Sequence, residues 1–264
     1  MSDLKIYNLK KKKISKRDIL RKLELQELIE NNAMELLGLV VIDSNLKLTS
    51  KKNEVLETLA YDEDYRLVVI EYRSGRFGST INKGLVFLDY IRQNKGKIKL
   101  LLNEKLKDSE LVKQINLTPR LISIGDDFNH FDEYAIKQLP YDVDLIKYVL
   151  FDKDIFVLEK NYQNYLEYDT NFSDQRLYKA IDDFVLSLGD EVSKTYANNC
   201  VSYRRIKNFL YIVQMEDEIL TIILKQKNKY KKYQLKNEND FNKITNAVEA
   251  SYEENWWTKN IIWR

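Results

Sequence analysis

From Lys16 to Leu37 the apolar residues Leu20, Leu23, Leu28 and Ile29 recur at helical spacing in a stretch rich in Leu, Glu and Lys, which predicts a long amphipathic helix stopped at Gly38. The period then changes. Leu39 to Asp43 is short, apolar and β-branched, and Val55 to Tyr61 and Tyr65 to Tyr72 flank the turn-like Asp62-Glu63-Asp64, so a strand followed by a hairpin is expected. The run Leu67-Val68-Val69-Ile70 is continuously apolar, as in a strand covered on both faces. Ser74-Gly75-Arg76-Phe77-Gly78 reads as a loop, Ile81 to Gln93 as a helix, Lys97 to Leu102 as a strand, and Arg120 to Gly125 as another strand. Asp132 to Gln138 reads as a helix, and Asp144 to Phe151 and Ile155 to Leu158 as strands. This alternation implies an α/β domain over residues 1–160, with a mixed sheet flanked by helices.

Asn161 to Ser173 is polar with no apolar period, which places a domain boundary there. The following helix, Asp174 to Leu188, lines up Leu177, Ile181, Phe184, Val185 and Leu188 on one face and ends at Gly189 in the usual C-cap role. Strands are expected at Val201 to Arg205, Phe209 to Met215, Ile219 to Lys225 and Tyr230 to Leu235, then a closing helix from Asp240 to Glu254. Residues 174–255 therefore read as a small α+β domain. The tail, 256–264, carries Trp256, Trp257 and Trp263 with Ile261 and Ile262 between them; such a segment should leave water. Packing back on the protein, docking on a second subunit in a homo-oligomer, and stacking on nucleobases are its three readings, in that order.

Cysteine and histidine usage narrows the chemistry. Cys200 and His130 are single in their kinds among 264 residues, so an intrachain disulfide, a thiolate cluster and the usual zinc constellations are excluded. A metal would need oxygen ligands, which points to Mg²⁺ or Mn²⁺. No apolar run approaches the roughly 18 to 20 residues that span a bilayer, and the N-terminus lacks a signal-peptide pattern, so no membrane partner and a cytoplasmic location are expected.

The formal charge of +2 is near balance, but lysines gather at Lys10, Lys11, Lys12 and Lys13 and again at Lys225, Lys227, Lys229, Lys231 and Lys232. Such runs form either phosphate-binding patches or solvated faces. Tyr203-Arg204-Arg205-Ile206-Lys207, with Phe209 and Tyr211, alternates basic with aromatic or apolar residues. Arg204, Arg205 and Lys207 could bind nucleic acid there, while an antiparallel sheet with one wet face would show the same alternation.

Glu71 and Arg73 are two apart on one predicted strand and share a face, near the point where the strand opens into a polar loop. Hairpin arithmetic about Asp62 to Tyr65 brings Glu57 opposite Ile70 or Glu71. With Glu57 beside Glu71, two carboxylates repel unless a cation lies between them. Glu24, between Leu20 and Leu28, falls either on the buried stripe of its helix, as a further ligand, or at its edge with the carboxylate in water; Glu27 is the second choice.

Several segments together resemble a bacterial family labelled predicted transport proteins, whose N-terminal domain is similar to PD-(D/E)xK nucleases. They are Glu24-Leu25-Gln26, Glu57-Thr58-Leu59-Ala60, Val69-Ile70-Glu71-Tyr72-Arg73, Ile81-Asn82-Lys83-Gly84-Leu85 with Leu88-Asp89-Tyr90, and Arg120-Leu121-Ile122-Ser123-Ile124 with Tyr134-Ala135-Ile136-Lys137-Gln138. Leu177-Tyr178-Lys179 and Tyr203 to Phe209 extend the resemblance into the second domain. It implies a restriction-endonuclease-like fold, Mg²⁺ or Mn²⁺ held by Glu57 and Glu71, and hydrolysis of DNA with Arg73 as the cation. Glu57 stands where that family has Asp, Arg73 where it has Lys, and Lys83 where it often has Gln, so Lys83 is either an ordinary exposed helix lysine or a source of an ammonium from a neighbouring element, in that order. The alternative function is a non-catalytic nucleic-acid-binding or assembly module.

Overall fold

A strand whose successive side chains are all apolar has two faces to cover, and here a layer of helices supplies each. The computed structural model describes residues 5–48, 54–74, 80–164, 172–190, 192–197, 200–205, 207–214, 219–226 and 229–254. The chain divides into two compact units, Met1–Leu166 and Glu167–Arg264. The first begins with three short strands, β1 (Tyr7–Asn8), β2 (Lys13–Ile14) and β3 (Arg17–Asp18), and the helices α1 (Lys22–Asn31) and α2 (Ala33–Leu37). Next come β4 (Leu39–Leu46), β5 (Leu56–Asp62) and β6 (Arg66–Tyr72), followed by α3 (Thr80–Gln93), α4 (Lys95–Leu106) and α5 (Ser109–Gln114). The unit closes with β7 (Asn116–Gly125), α6 (His130–Lys137), β8 (Val143–Phe151) and β9 (Ile155–Asn164).

The main sheet has seven strands in the order β3-β8-β7-β6-β5-β4, with β9 paired to β8. The central strands β6, β7 and β8 run parallel, and the remaining pairs are antiparallel. Strand alternation sorts the core into two layers. Leu59, Leu67, Val69 and Leu121 pack with Ile81, Phe87, Leu88 and Ile91 of α3 and with Ile98 and Leu102 of α4. Their neighbours Ala60, Val68, Ile70, Tyr72 and Ile122 pack the other way, on Leu25 and Ile29 of α1 and Ala33 of α2. Continuous apolarity in β6 thus follows from burial on both sides. At the sheet end where β6 and β7 begin, Arg66 pairs with Asp142, and Arg120 lies 3.2 Å from Asp62 and 2.8 Å from Asp144, all buried. Removing one member would leave a charge without its partner in the interior, which costs roughly 3–5 kcal/mol.

Several sequence expectations change here. The N-terminal helix starts at Lys22 instead of Lys16, because Arg17 and Asp18 pair with Phe151 and Leu150 of β8, and it is interrupted at Asn32. Gly38 does end α2, in the left-handed conformation at φ 66°. The segment Lys97 to Leu102, expected as a strand, lies inside α4; Ile98 and Leu102, four apart, share its buried face. Alternating lysines there mimic a two-residue period, but the long unbranched side chains favour the helix.

The second unit comprises α7 (Gln175–Leu186), a five-stranded antiparallel meander of β10 (Ser193–Ala197), β11 (Cys200–Arg204), β12 (Asn208–Gln214), β13 (Leu220–Gln226) and β14 (Lys229–Leu235), then α8 (Glu238–Asn242) and α9 (Thr245–Glu254). Leu177, Ile181 and Val185 of α7 and Val248 of α9 pack on Tyr203, Leu210, Ile212, Ile222 and Leu224. The closing helix is two helices instead of one, and α7 stops at Leu186 with Ser187 as its right-handed cap, before Gly189. Trp256, Trp257 and Trp263 lie outside the described residues, as do Gly75 to Gly78 of the loop and Lys227. No helix among the described residues is long and apolar enough to cross a membrane.

Helix α3 approaches the sheet through Gly84. A Cβ there would fall 2.4 Å from Leu121 Cδ1 and 3.1 Å from its Cγ, and Leu121 is fully buried. Gly84→Ala should therefore lower stability by about 1–3 kcal/mol despite alanine's better helix propensity. A chemical-denaturation midpoint equal to or above that of the wild type would show that Leu121 has room to yield.

Candidate functional site

Hydrogen bonding between β5 and β6 follows a regular register, Tyr61 opposite Leu67 through Thr58 opposite Ile70. Continued by one residue, that register sets Glu57 opposite Glu71, where the two carboxylates take over from the ladder. Glu57 Oε2 accepts the Tyr72 backbone N–H at 2.7 Å, and Glu71 Oε1 accepts the Glu57 N–H at 3.2 Å. Both residues are buried, Glu71 completely and Glu57 at 3 % exposure.

Two ammonium groups face the remaining oxygens. Lys83 of α3 lies 2.5 Å from Glu57 Oε1 and 2.7 Å from Glu71 Oε2 and so bridges the pair. Lys22, the first residue of α1, also ion-pairs with Glu57 Oε1. Glu71 Oε2 has an ion-pair contact but no aligned hydrogen bond. Gln26, one turn beyond Lys22, donates to the Glu57 carbonyl at 2.9 Å and fixes the strand against the helix.

Burial pushes the Glu71 carboxyl up to about 8; the charge of Glu57 adds to the shift, and Lys83 opposes it. For Lys83 burial alone would lower the pKa, but its interactions with the Glu57 and Glu71 carboxylates outweigh that and raise it. The site is thus a buried carboxylate pair bridged by a lysine ammonium.

Of the residues singled out in the sequence, Glu57, Glu71 and Lys83 come together. Arg73 does not join them. Its guanidinium faces the loop after β7: it donates to the Asp127 carbonyl at 2.6 Å, lies 3.4 Å from Asp132, and covers the Phe128 ring at 5.3 Å. Glu24 is not on the buried stripe. Because α1 starts at Lys22, Glu24 falls at the third helical position, reaches back to the Arg21 backbone N–H at 2.9 Å and pairs with Arg21.

Arg204 and Arg205 also depart from expectation. Both are buried: Arg204 donates to Thr195 Oγ1 at 2.9 Å, and Arg205 lies 4.1 Å from the Tyr252 ring centroid. A register shift between Tyr203 and Arg204 breaks the alternation on which a wet basic face depended. Lys207 is partly exposed in the turn before β12. Lys22 and Gln26 were missed; once the helix start is known, their four-residue spacing puts them on one face, but the start itself depends on β3 pairing with β8.

A divalent ion would find two carboxylate oxygens here, Glu57 Oε1 and Glu71 Oε2, both now bridged by one ammonium. Among the described residues no cluster of three or more His, Cys, Asp or Glu offers a cation site. Two carboxylates still fit Mg²⁺ or Mn²⁺, which commonly take one or two and fill the shell with water.

Residues 169–257 match the family described as Domain of unknown function (DUF5655), which covers most of the second unit. An uncharacterised protein of Haemophilus influenzae is 30% identical over 139 residues, 51% of this chain. Those residues are 44% of that relative, so the match spans less than half its length. No solved structure matches the chain. The comparisons place the C-terminal region with a domain family of unknown function and give the chain a distant, uncharacterised relative.

Proposed function

We propose that the first unit is a nuclease-like module of PD-(D/E)xK type, in which Glu57 and Glu71 hold Mg²⁺ or Mn²⁺ for hydrolysis of DNA phosphodiesters. The observation that carries this reading is the buried Glu57–Glu71 pair bridged by the Lys83 ammonium, set on a mixed sheet between two layers of helices. A bound divalent ion would supply Lewis acidity and a water of lowered pKa. The chain's own part is to orient the carboxylates through the Tyr72 and Glu57 N–H groups and to hold a positive charge on Lys83 beside the reacting phosphate. Lys83 takes the role that the family resemblance implied for Arg73, from a helix instead of from the strand.

One observation favours a second reading, a binding module without cleavage. Each of the four carboxylate oxygens already faces a donor: two face backbone N–H groups and two face ammonium groups. A site satisfied in this way is stable without metal, and divalent binding must displace Lys83 from between the acids.

The test is cleavage of supercoiled, linear and single-stranded DNA with Mg²⁺ or Mn²⁺. Under the proposal wild type cuts and Glu71→Ala loses at least about a hundredfold in rate. Identical behaviour of the two proteins, with DNA binding intact, selects the binding module.

Stability supplies an independent check. Because the folded-state pKa of Glu71 is raised from 4.5 to about 8, the native protein retains a proton that the unfolded chain releases. Its contribution to stability is full below pH 4.5, declines as pH rises, and is lost by about pH 8. In metal-free buffer the wild type should lose up to roughly 1.4 kcal/mol per pH unit across that window relative to Glu71→Gln. Parallel curves for the two proteins would mean that Glu71 is ionised throughout.

A further inference from the structure

Arg73, which leaves the carboxylate pair, lines a separate cleft of about 620 Å³ together with the cations Arg17 and Lys147 and the acids Asp18, Asp126 and Asp127. Its size is in the range of small-ligand sites. The cleft opens where β6 and β7 end: Arg73 follows Tyr72, and Asp126 follows Gly125. The carboxyl ends of adjacent parallel strands are where open α/β sheets take their ligands.

Two cations in this cleft are shielded from water, Lys147 buried and Arg73 partly so, and both have donors unspent among the described residues. The Arg73 side chain is 10% exposed, and its Nε has no hydrogen-bond acceptor among the described residues. The Lys147 side chain is 6% exposed, and its ammonium, which carries three N–H donors, makes a single hydrogen bond among the described residues, 3.1 Å to Asp127 Oδ1. The Asp127 side chain is 52% exposed, so the carboxylate stands nearer the water and the cations lie deeper. Shielded cations short of acceptors suit an oxyanion, and a guanidinium beside an ammonium suits phosphate.

We infer that this cleft is a phosphate-binding subsite for a nucleic-acid strand, with Arg73 and Lys147 as its ligand-binding residues. The inference rests on the nucleic-acid reading of the neighbouring carboxylate pair. Arg73 lies two residues beyond Glu71, about 7 Å along an extended strand, so one strand of substrate can engage both. Arg73 accordingly positions the substrate, while Lys83 serves the carboxylate pair.

The experiment is fluorescence anisotropy of a short labelled DNA, single-stranded and duplex, in EDTA, at low and at physiological salt. Wild type is compared with Arg73→Gln and Lys147→Met, and with Lys113→Ala as a surface control; the fold of each is checked by circular dichroism. Each cleft variant should weaken binding about tenfold and make the dependence of log affinity on log salt shallower by about one, and Lys113→Ala should match wild type. If Arg73→Gln does not fold, Lys147→Met carries the same expectation. Wild type that fails to bind DNA, or folded cleft variants that bind as wild type does, overturns the subsite. Because no metal is present, binding through the cleft without cleavage in Mn²⁺ leaves the subsite standing and removes only the hydrolysis.

Discussion

The β5–β6 ladder stops one residue short of Glu57 and Glu71, and their carboxylates finish the pairing, Glu57 accepting the Tyr72 backbone N–H and Glu71 that of Glu57. That substitution brings two carboxyl groups into the interior, where an uncompensated charge costs several kcal/mol. The surrounding elements answer this demand. Lys22 comes from α1, which covers one face of the sheet, and Lys83 comes from α3, which covers the other. Glu57 thus ties the two helical layers together at the end of the hairpin.

Charge is handled differently at the two ends of the sheet. Where β6 and β7 begin, Arg66 pairs with Asp142 and Arg120 with Asp62 and Asp144, all buried, and Lys160 lies 4.0 Å from Asp144. Where they end, the carboxylate pair is bridged by an ammonium that is 30% exposed, and the adjoining cleft holds cations whose donors are not all used. The first arrangement fixes strand order and the second leaves capacity for exchange. This contrast supports placing function at the carboxyl ends of the parallel strands.

Elements with a strong period were legible in the sequence: the β5–β6 hairpin, the strands at 143–151 and 116–125, and the amphipathic helices α3 and α7. The Glu57–Glu71 pairing was legible to within one residue because the turn residues bounded the register. What was hidden is non-local. The start of α1, and with it the places of Glu24, Lys22 and Gln26, depends on β3 pairing with a strand more than a hundred residues away. Arg73 left the expected site because the β7–α6 loop supplies it with a carbonyl, a carboxylate and an aromatic ring, which no spacing within β6 reveals. The burial of Arg204 and Arg205 likewise turns on a register shift and on a helix forty residues further along.

The central claim is that the oxygens bridged by Lys83 exchange that ammonium for a divalent cation. Crystals grown without metal and soaked in Mn²⁺ test it through anomalous scattering. The expected result is an anomalous peak beside the Glu57 and Glu71 carboxylates, with the Lys83 ammonium moved away from the pair. Crystals in which Lys83 still bridges the two carboxylates, with no anomalous peak at saturating Mn²⁺, would contradict it.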